Sequence, residues 1–174
     1  MNWIVISDDT NPARGRLLCK DKTFTCALGR SGITIDKSEG DGKTPAGRFA
    51  LRRVLYRPDR LDPPQTKLPL SSIRESDGWC DAPDDPNYNR LVSHPYQQSA
   101  ERLWRDDDLY NIVLVLGHND DPVVPGAGSA IFVHVATHDY APTEGCVAIH
   151  QQHLLDLLIQ CERRSWIKVT PPEP

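Results

Sequence analysis

His134 and Cys146 are the two residues whose types and spacing could do chemistry. His134 lies in an apolar, β-prone run over 131–135, and Cys146 follows Gly145 just before a second apolar run over 147–149. The residues between the runs are turn-forming, and a loop that returns on itself can place the histidine beside the cysteine. An imidazole that accepts the thiol proton makes a thiolate nucleophile and can later protonate a leaving group. The pair therefore has the minimum composition of a base-activated cysteine nucleophile.

The alternative interpretation is structural. Cysteine is among the most frequently buried residue types, and a cysteine between apolar residues is usually part of a core. A histidine in an apolar strand is usually held by a hydrogen bond and has no catalytic role. Spacing alone leaves both interpretations of His134 and Cys146 open.

Composition predicts an ordinary soluble globular protein. The chain has 174 residues, of which 39% are apolar and 25% charged, so we expect a single domain over 1–174. The net charge of -4 argues against nucleic acid bound through a broad basic surface. No apolar run approaches the length that spans a membrane, and the N-terminal residues do not resemble a signal peptide. We therefore expect a cytoplasmic protein with neither membrane nor nucleic acid as a partner.

The cysteines do not suggest a metal site. Their number, five, is odd, and none has the spacing to another cysteine or histidine that is typical of zinc ligands. In a reducing cytoplasm we expect all five to be thiols. The sequence predicts no metal and no cofactor.

Strand-like runs dominate the chain, so the predicted fold class is mainly β, mostly antiparallel, with one or two short helices packed on the sheet. A glycine-rich segment over 37–47 predicts a long loop, and it lacks the strand and the upstream glycine of a phosphate-binding loop. A Pro- and Asp-rich excursion over 56–89 is long for an unstructured loop. The predicted strands are 3–6, 16–20, 23–28, 48–54, 110–116, 131–135, 147–149 and 166–169, and the predicted helices are 99–104 and 150–161.

Two segments resemble a known family. Residues 37–49 read KSEGDGKTPAGRF, which is similar to a glycine-rich K-x-E-G-D-x-x-T-P-x-G-x-F segment of L,D-transpeptidase catalytic domains of the YkuD type. Residues 128–134, GSAIFVH, and 143–147, TEGCV, resemble that family's histidine strand and nucleophile turn. The resemblance covers about residues 1–170 and implies a β-sandwich-like fold with the site at one end.

The resemblance also assigns roles. It implies Cys146 as nucleophile and His134 as base, with the backbone carbonyl of Val135 orienting the imidazole. The N–H groups of Gly145 and Cys146, with that of Glu144, would form the oxyanion hole. A glycine before the nucleophile permits the tight turn that this arrangement needs.

Two positions depart from the family pattern. Many members have histidine before the glycine and arginine two residues after the cysteine, whereas this chain has Glu144 and Ala148. Substrate contacts that such an arginine makes in other members therefore do not carry over to this chain.

The implied reaction is cysteine acyl transfer on peptidoglycan stem peptides, at the bond between the third residue, often meso-diaminopimelate, and D-alanine in fourth position. Water as acceptor gives an L,D-carboxypeptidase that trims muropeptide tetrapeptides during cell-wall recycling, and a cytoplasmic location favours it. The alternatives are an L,D-transpeptidase that forms cross-links and a catalytically inactive peptide-binding module. Acylation by carbapenems is a further possibility that the resemblance raises.

Several residues are candidate substrate contacts. Arg90 and Arg105 could each bind a carboxylate through a planar guanidinium, although a solvated surface role is the favoured alternative. His118 and Asn119 could line the cleft or hold their own turn. The remaining candidates lie in the loop that leads to the nucleophile, namely Tyr140, Thr143 and Glu144.

Overall fold

The computed structural model describes residues 2–171 and is dominated by strands, which confirms the mainly β prediction. Met1 and residues 172–174 of the expected domain lie outside the described range. The elements, in chain order, are β1 (Asn2–Ser7), β2 (Arg14–Cys19), β3 (Lys22–Ala27), β4 (Ile33–Thr34), β5 (Thr44–Pro45), β6 (Gly47–Tyr56), β7 (Leu70–Ser72), β8 (Asp77–Cys80), β9 (Leu91–Ser93), β10 (Ala100–Arg102), β11 (Ile112–Leu116), β12 (Phe132–Val135), β13 (Val147–Ile149), α1 (Gln151–Leu158) and β14 (Trp166–Val169).

The main sheet closes on itself. Its nine strands follow the order β11-β12-β13-β3-β2-β1-β14-β6-β7, and β6 also pairs with β11. The long strand β6 makes this possible, since its first residues pair with β14 and its later residues with β11. Closure leaves few unpaired edges in the sheet and brings distant parts of the chain together at its ends.

Alternate side chains of β11 serve two different cores. Ile112, Leu114 and Leu116 lie in the larger core, which the closed main sheet surrounds. Val113 and Val115 lie in a second core on the other face, which also contains Cys146. All five residues of β11 are buried, which explains why the strand is a continuous apolar run without alternation.

An accessory sheet covers this second core. It has three strands in the order β10-β8-β9, of which β8 lies in the predicted excursion over 56–89 and the other two follow it. The helix predicted over 99–104 is wrong, because residues 100–102 form β10 and Glu101 pairs with Trp79 of β8. Pairing with a strand about twenty residues earlier outweighs the local helix signal of residues 99–104.

The predicted C-terminal helix is confirmed as α1, with shorter bounds. His150 caps it, since its Nδ1 accepts a hydrogen bond from the Gln152 N–H at 3.3 Å. Leu154, Leu157 and Leu158 are buried against the sheet. Within residues 2–171, no helix is long and apolar enough to cross a membrane.

Candidate active site

Parallel pairing of β12 and β13 places the histidine and the cysteine at one site. His134 lies beside Ala148 in this pairing, and Cys146 comes one residue before β13 begins. Both side chains line a cavity of about 580 Å³ between the main and accessory sheets. The structure therefore brings together the two residues that the sequence singled out.

His134 is held in one orientation. Its Nδ1 lies 2.8 Å from the Val135 carbonyl oxygen, so Nδ1 carries the proton and Nε2 keeps its lone pair. The Tyr110 ring packs edge-on against the imidazole, with centroids 5.2 Å apart. Burial lowers the pKa of His134 to about 4, so near neutral pH the ring is uncharged and can accept a proton.

Cys146 is a buried thiol in the resting site. Its S–H donates to the Ala130 carbonyl oxygen at 3.2 Å, and its Sγ accepts from the Phe132 N–H at 3.4 Å. Burial raises the pKa of Cys146 to about 12, the negative charge of Glu101 adds to this, and Lys37 opposes it. The resting pair is therefore a neutral thiol and a neutral imidazole near neutral pH.

The turn before Cys146 requires glycine. Gly145 has φ +142°, and a Cβ there would lie 2.8 Å from the Lys43 carbonyl oxygen. Thr143 closes the turn, because its hydroxyl donates to the Cys146 carbonyl at 2.7 Å. The same Oγ1 accepts from the Gly145 N–H at 3.1 Å, so this expected oxyanion donor has an intramolecular partner in the resting state. Stabilising an oxyanion with it means sharing or breaking that bond.

Asp41 organises the glycine-rich loop beside this turn. Its carboxylate accepts hydrogen bonds from the Lys37 ammonium and from the N–H groups of Ser38 and Lys43. Lys37 lines the cavity, and its side chain is only 7% exposed. The Lys37 Nζ lies 3.6 Å from where a Cβ on Gly145 would stand. The motif at 37–49 thus delivers a buried cation next to the nucleophile turn.

The accessory sheet and the loop after it contribute the opposite wall, whose two carboxylates sequence reasoning missed. Asp81, Glu101 and Arg105 line the cavity there. The Tyr110 hydroxyl donates to the Glu101 carboxylate, which links this wall to the ring that packs on His134. No local signal marks these charged residues, because only pairing of distant strands brings them to the cavity.

Four expected substrate contacts do not line this cavity. His118 and Asn119 hold their own loop: His118 Nε2 lies 2.9 Å from the Ala127 carbonyl oxygen, and the Asn119 amide donates to the carbonyls of residues 124 and 128. Tyr140 packs under the guanidinium of an arginine on β2. Arg90 lines a separate cavity on β11 and β6. Thr143 and Glu144 do line the cavity. The Glu144 carboxylate forms a salt bridge with the Arg30 guanidinium at 3.2 Å.

Asn89 is a second residue that sequence reasoning missed. Its Oδ1 accepts from the Trp79 indole at 2.9 Å and from the Ala130 N–H at 3.1 Å. Its amide donates to the His118 carbonyl at 3.0 Å and to the Asn119 carbonyl at 2.7 Å. Ala130 has φ +52°, and its carbonyl accepts the hydrogen bond from the Cys146 S–H, so Asn89 fixes the backbone that holds the thiol.

A thiol and an oriented imidazole that line one cavity are the two groups that cysteine acyl transfer requires. In residues 2–171, no group of three or more His, Cys, Asp or Glu side chains is arranged to hold a metal ion.

Residues 3–169 match the family model of the L,D-transpeptidase catalytic domain, YkuD, and the chain belongs to that family, whose chemistry is cysteine acyl transfer on peptidoglycan peptides. Comparison with curated proteins and with solved structures gave no match.

Proposed function

We propose that the protein is an L,D-carboxypeptidase that removes the terminal D-alanine from muropeptide tetrapeptides. The observation that carries the proposal is a single peptide-sized cavity containing Cys146, His134 and the buried cation Lys37. Each part of that cavity has a task in hydrolysis of a C-terminal residue.

His134 and Cys146 would carry the covalent steps. The Cys146 proton passes to His134 Nε2, and the thiolate attacks the carbonyl carbon of the third residue. The tetrahedral intermediate collapses with loss of D-alanine, whose amine takes the proton from His134. Water, deprotonated by His134, then attacks the thioester and releases the tripeptide and the Cys146 thiol. The N–H groups of Cys146 and Gly145 are the proposed oxyanion donors.

Lys37 is the proposed ligand for the substrate's terminal carboxylate. Its ammonium lies beside Gly145, and one of its three N–H donors is committed to Asp41. Two donors therefore remain for a carboxylate one residue beyond the scissile bond. A buried cation at this point favours a substrate that ends there, which is a tetrapeptide and not a pentapeptide.

The cavity size supports water as the acceptor. A volume of about 580 Å³ lies within the range that holds one drug-sized ligand. The tail of one stem peptide fills such a space, and an attacking second stem peptide would need room beside it. Transpeptidation remains the alternative and is distinguished by its products.

The proposal includes a cytoplasmic location, where muropeptides return for reuse. It is supported by five buried cysteines with no disulfide among residues 2–171, since disulfides are rare in reducing compartments. Fractionation of cells that produce the protein tests this, and recovery in the periplasmic or medium fraction would contradict it.

The test is to incubate purified protein with the tetrapeptide L-Ala-γ-D-Glu-meso-diaminopimelyl-D-Ala in ¹⁸O-labelled water and to analyse the products by mass spectrometry. We expect free D-alanine and a tripeptide that carries one ¹⁸O. Cys146→Ala and His134→Ala should abolish release, whereas His138→Ala, an exposed histidine four residues along, should retain it. Cross-linked dimers as the main product would support transpeptidation, and full activity in Cys146→Ala would remove the nucleophile assignment.

A further inference from the structure

The wall opposite the nucleophile turn is negatively charged. Glu101 and Asp81 line it, and Glu39 of the glycine-rich loop lines the same cavity. All three carboxylates interact electrostatically, since Asp81 and Glu39 both raise the pKa of Glu101, in addition to the larger effect of its burial. Arg105 is the cation that opposes them there, and its guanidinium is already bound to Asp107 at 2.9 and 2.6 Å.

One carboxylate oxygen of the cavity-lining residues has no hydrogen-bond partner among the described residues. It is Asp81 Oδ1, which is buried. Buried polar atoms in native proteins are nearly always paired, so Asp81 keeps hydrogen-bonding capacity that the described chain does not use.

An ammonium group has the chemistry that this wall lacks. It carries a positive charge and three N–H donors, which suit carboxylates that retain free lone pairs. The Glu101 carboxylate accepts one hydrogen bond, from the Tyr110 hydroxyl, and so has capacity for more. Within residues 2–171 these carboxylates are not arranged as a metal site.

We propose that Glu101 and Asp81 bind the free ammonium group on the side chain of the substrate's third residue. This inference rests on the proposed function. Arg105 lines the same wall and would meet a carboxylate next to that ammonium group by giving up one of its two bonds to Asp107. Diaminopimelate carries both groups on one carbon. The accessory sheet thereby selects the donor peptide and acts as more than a cover.

Binding the ammonium group also prepares the nucleophile. After burial, the charge of Glu101 is the next largest cause of the raised pKa of Cys146. A cation paired with Glu101 offsets this charge, so thiolate formation becomes easier when the correct substrate is bound. In its absence, burial and the charge of Glu101 both favour the protonated thiol.

Binding to the Cys146→Ala protein tests the proposal without catalysis. In isothermal titration, the diaminopimelyl tetrapeptide should bind about tenfold more tightly than the same peptide acetylated on the side-chain amine. A tenfold difference is about what one charge-assisted hydrogen bond contributes. Adding Glu101→Gln should remove that difference and leave the acetylated peptide's affinity unchanged. Gln keeps an acceptor for Tyr110, and Glu75→Gln, at an exposed site, is the matched control and should keep the difference.

Equal affinities for the two peptides, or an unchanged difference in Glu101→Gln, would overturn the proposal. A tetrapeptide with lysine as its third residue separates the role of the amine from that of the neighbouring carboxylate, because it has only the amine. We expect it to lose only the part of the affinity that depends on Arg105. A site for an acceptor amine would instead show tighter binding of a tripeptide acceptor that depends on Glu101, which would also overturn the proposal. If the binding pattern holds but wild-type protein releases no D-alanine, the proposed function fails and the amine site stands.

Cys146 alkylation supplies a second readout. Glu101→Gln should increase the rate of Cys146 modification by iodoacetamide at pH 8 about threefold or more, because it removes a negative charge near the thiol. A structural role alone would alter the Tm without accelerating alkylation, and an unchanged rate would overturn the coupling between the wall and the nucleophile.

Discussion

Gly145→Ala tests how the turn positions the nucleophile. The φ of +142° is one that L side chains rarely adopt, and the added Cβ would lie 2.8 Å from the Lys43 carbonyl and 3.4 Å from Ile131 Cδ1. The Lys43 carbonyl belongs to backbone held by Asp41, so it cannot move freely. Strained φ values cost about 1–3 kcal/mol, and the clash adds to that, so we expect a loss of about 3 kcal/mol or more.

Gly126→Ala is the matched control. Gly126 has φ +78°, and nothing lies within 4 Å of a Cβ built on it. It therefore suffers the backbone cost alone, about 1–2 kcal/mol. Comparing Gly145→Ala with Gly126→Ala separates backbone strain from the contact with Lys43.

Calorimetry and D-alanine release provide the measurements. For a domain of this size 1 kcal/mol shifts the Tm by about 2–4 °C, so Gly145→Ala should lose about 10 °C and Gly126→Ala about 4 °C. Displacing Cys146 by about 1 Å should lower kcat about a hundredfold in Gly145→Ala, with kcat unchanged in Gly126→Ala. Equal Tm losses and equal kcat values in the two variants would refute the idea that close packing of Gly145 positions the nucleophile.

Three further predictions concern the groups around the pair. Thr143→Val should lower kcat about tenfold in steady-state assays, because the hydroxyl's hydrogen bonds to Cys146 and Gly145 each contribute about 1 kcal/mol. Thr143→Ser keeps the hydroxyl and should stay near wild type. Equal kcat values for the two variants would contradict this role. The pKa of His134 is about 4 in the folded protein and 6.5 in the unfolded chain, because burial disfavours the charged ring. Above pH 6.5 the ring is neutral in both states, and below it the unfolded chain takes up a proton before the folded protein does. About 3 kcal/mol should be lost as pH falls towards 4, measured by urea unfolding, and His134→Gln should lose less over that range. Asn89→Ala should lower the unfolding free energy by about 3 kcal/mol in urea titrations, because several buried groups lose their partner, and a change below about 1 kcal/mol would contradict its bridging role.

The local part of the site was predictable from sequence, and the long-range part was not. Apolar runs on both sides of a turn indicated the strands of His134 and Cys146, and the glycine before the cysteine indicated the turn. Glu101 and Asp81 reach the cavity only through the pairing of β10 with β8, and nothing in their neighbours along the chain encodes it. The same pairing explains why residues 100–102 form a strand although their local sequence predicts a helix.

The polar contacts of the resting site were also beyond sequence reasoning. The bond from the Gly145 N–H to the Thr143 hydroxyl depends on the turn's backbone angles, so an oxyanion role could be assigned by resemblance while its resting partner could not. Arg90 illustrates the reverse case. Its chemistry suits a carboxylate, but strand pairing carries it to another cavity.

The most direct test of the account is to find where the acyl group resides. Wild-type protein would be mixed with the diaminopimelyl tetrapeptide, quenched in acid within milliseconds and digested, and its peptides would be mapped by mass spectrometry. We expect a tripeptidyl thioester on the peptide that contains Cys146, formed together with D-alanine and absent in Cys146→Ala. Two results would contradict the assignment of Cys146 as nucleophile. One is a pre-steady-state burst of D-alanine without the thioester, and the other is an adduct on another cysteine.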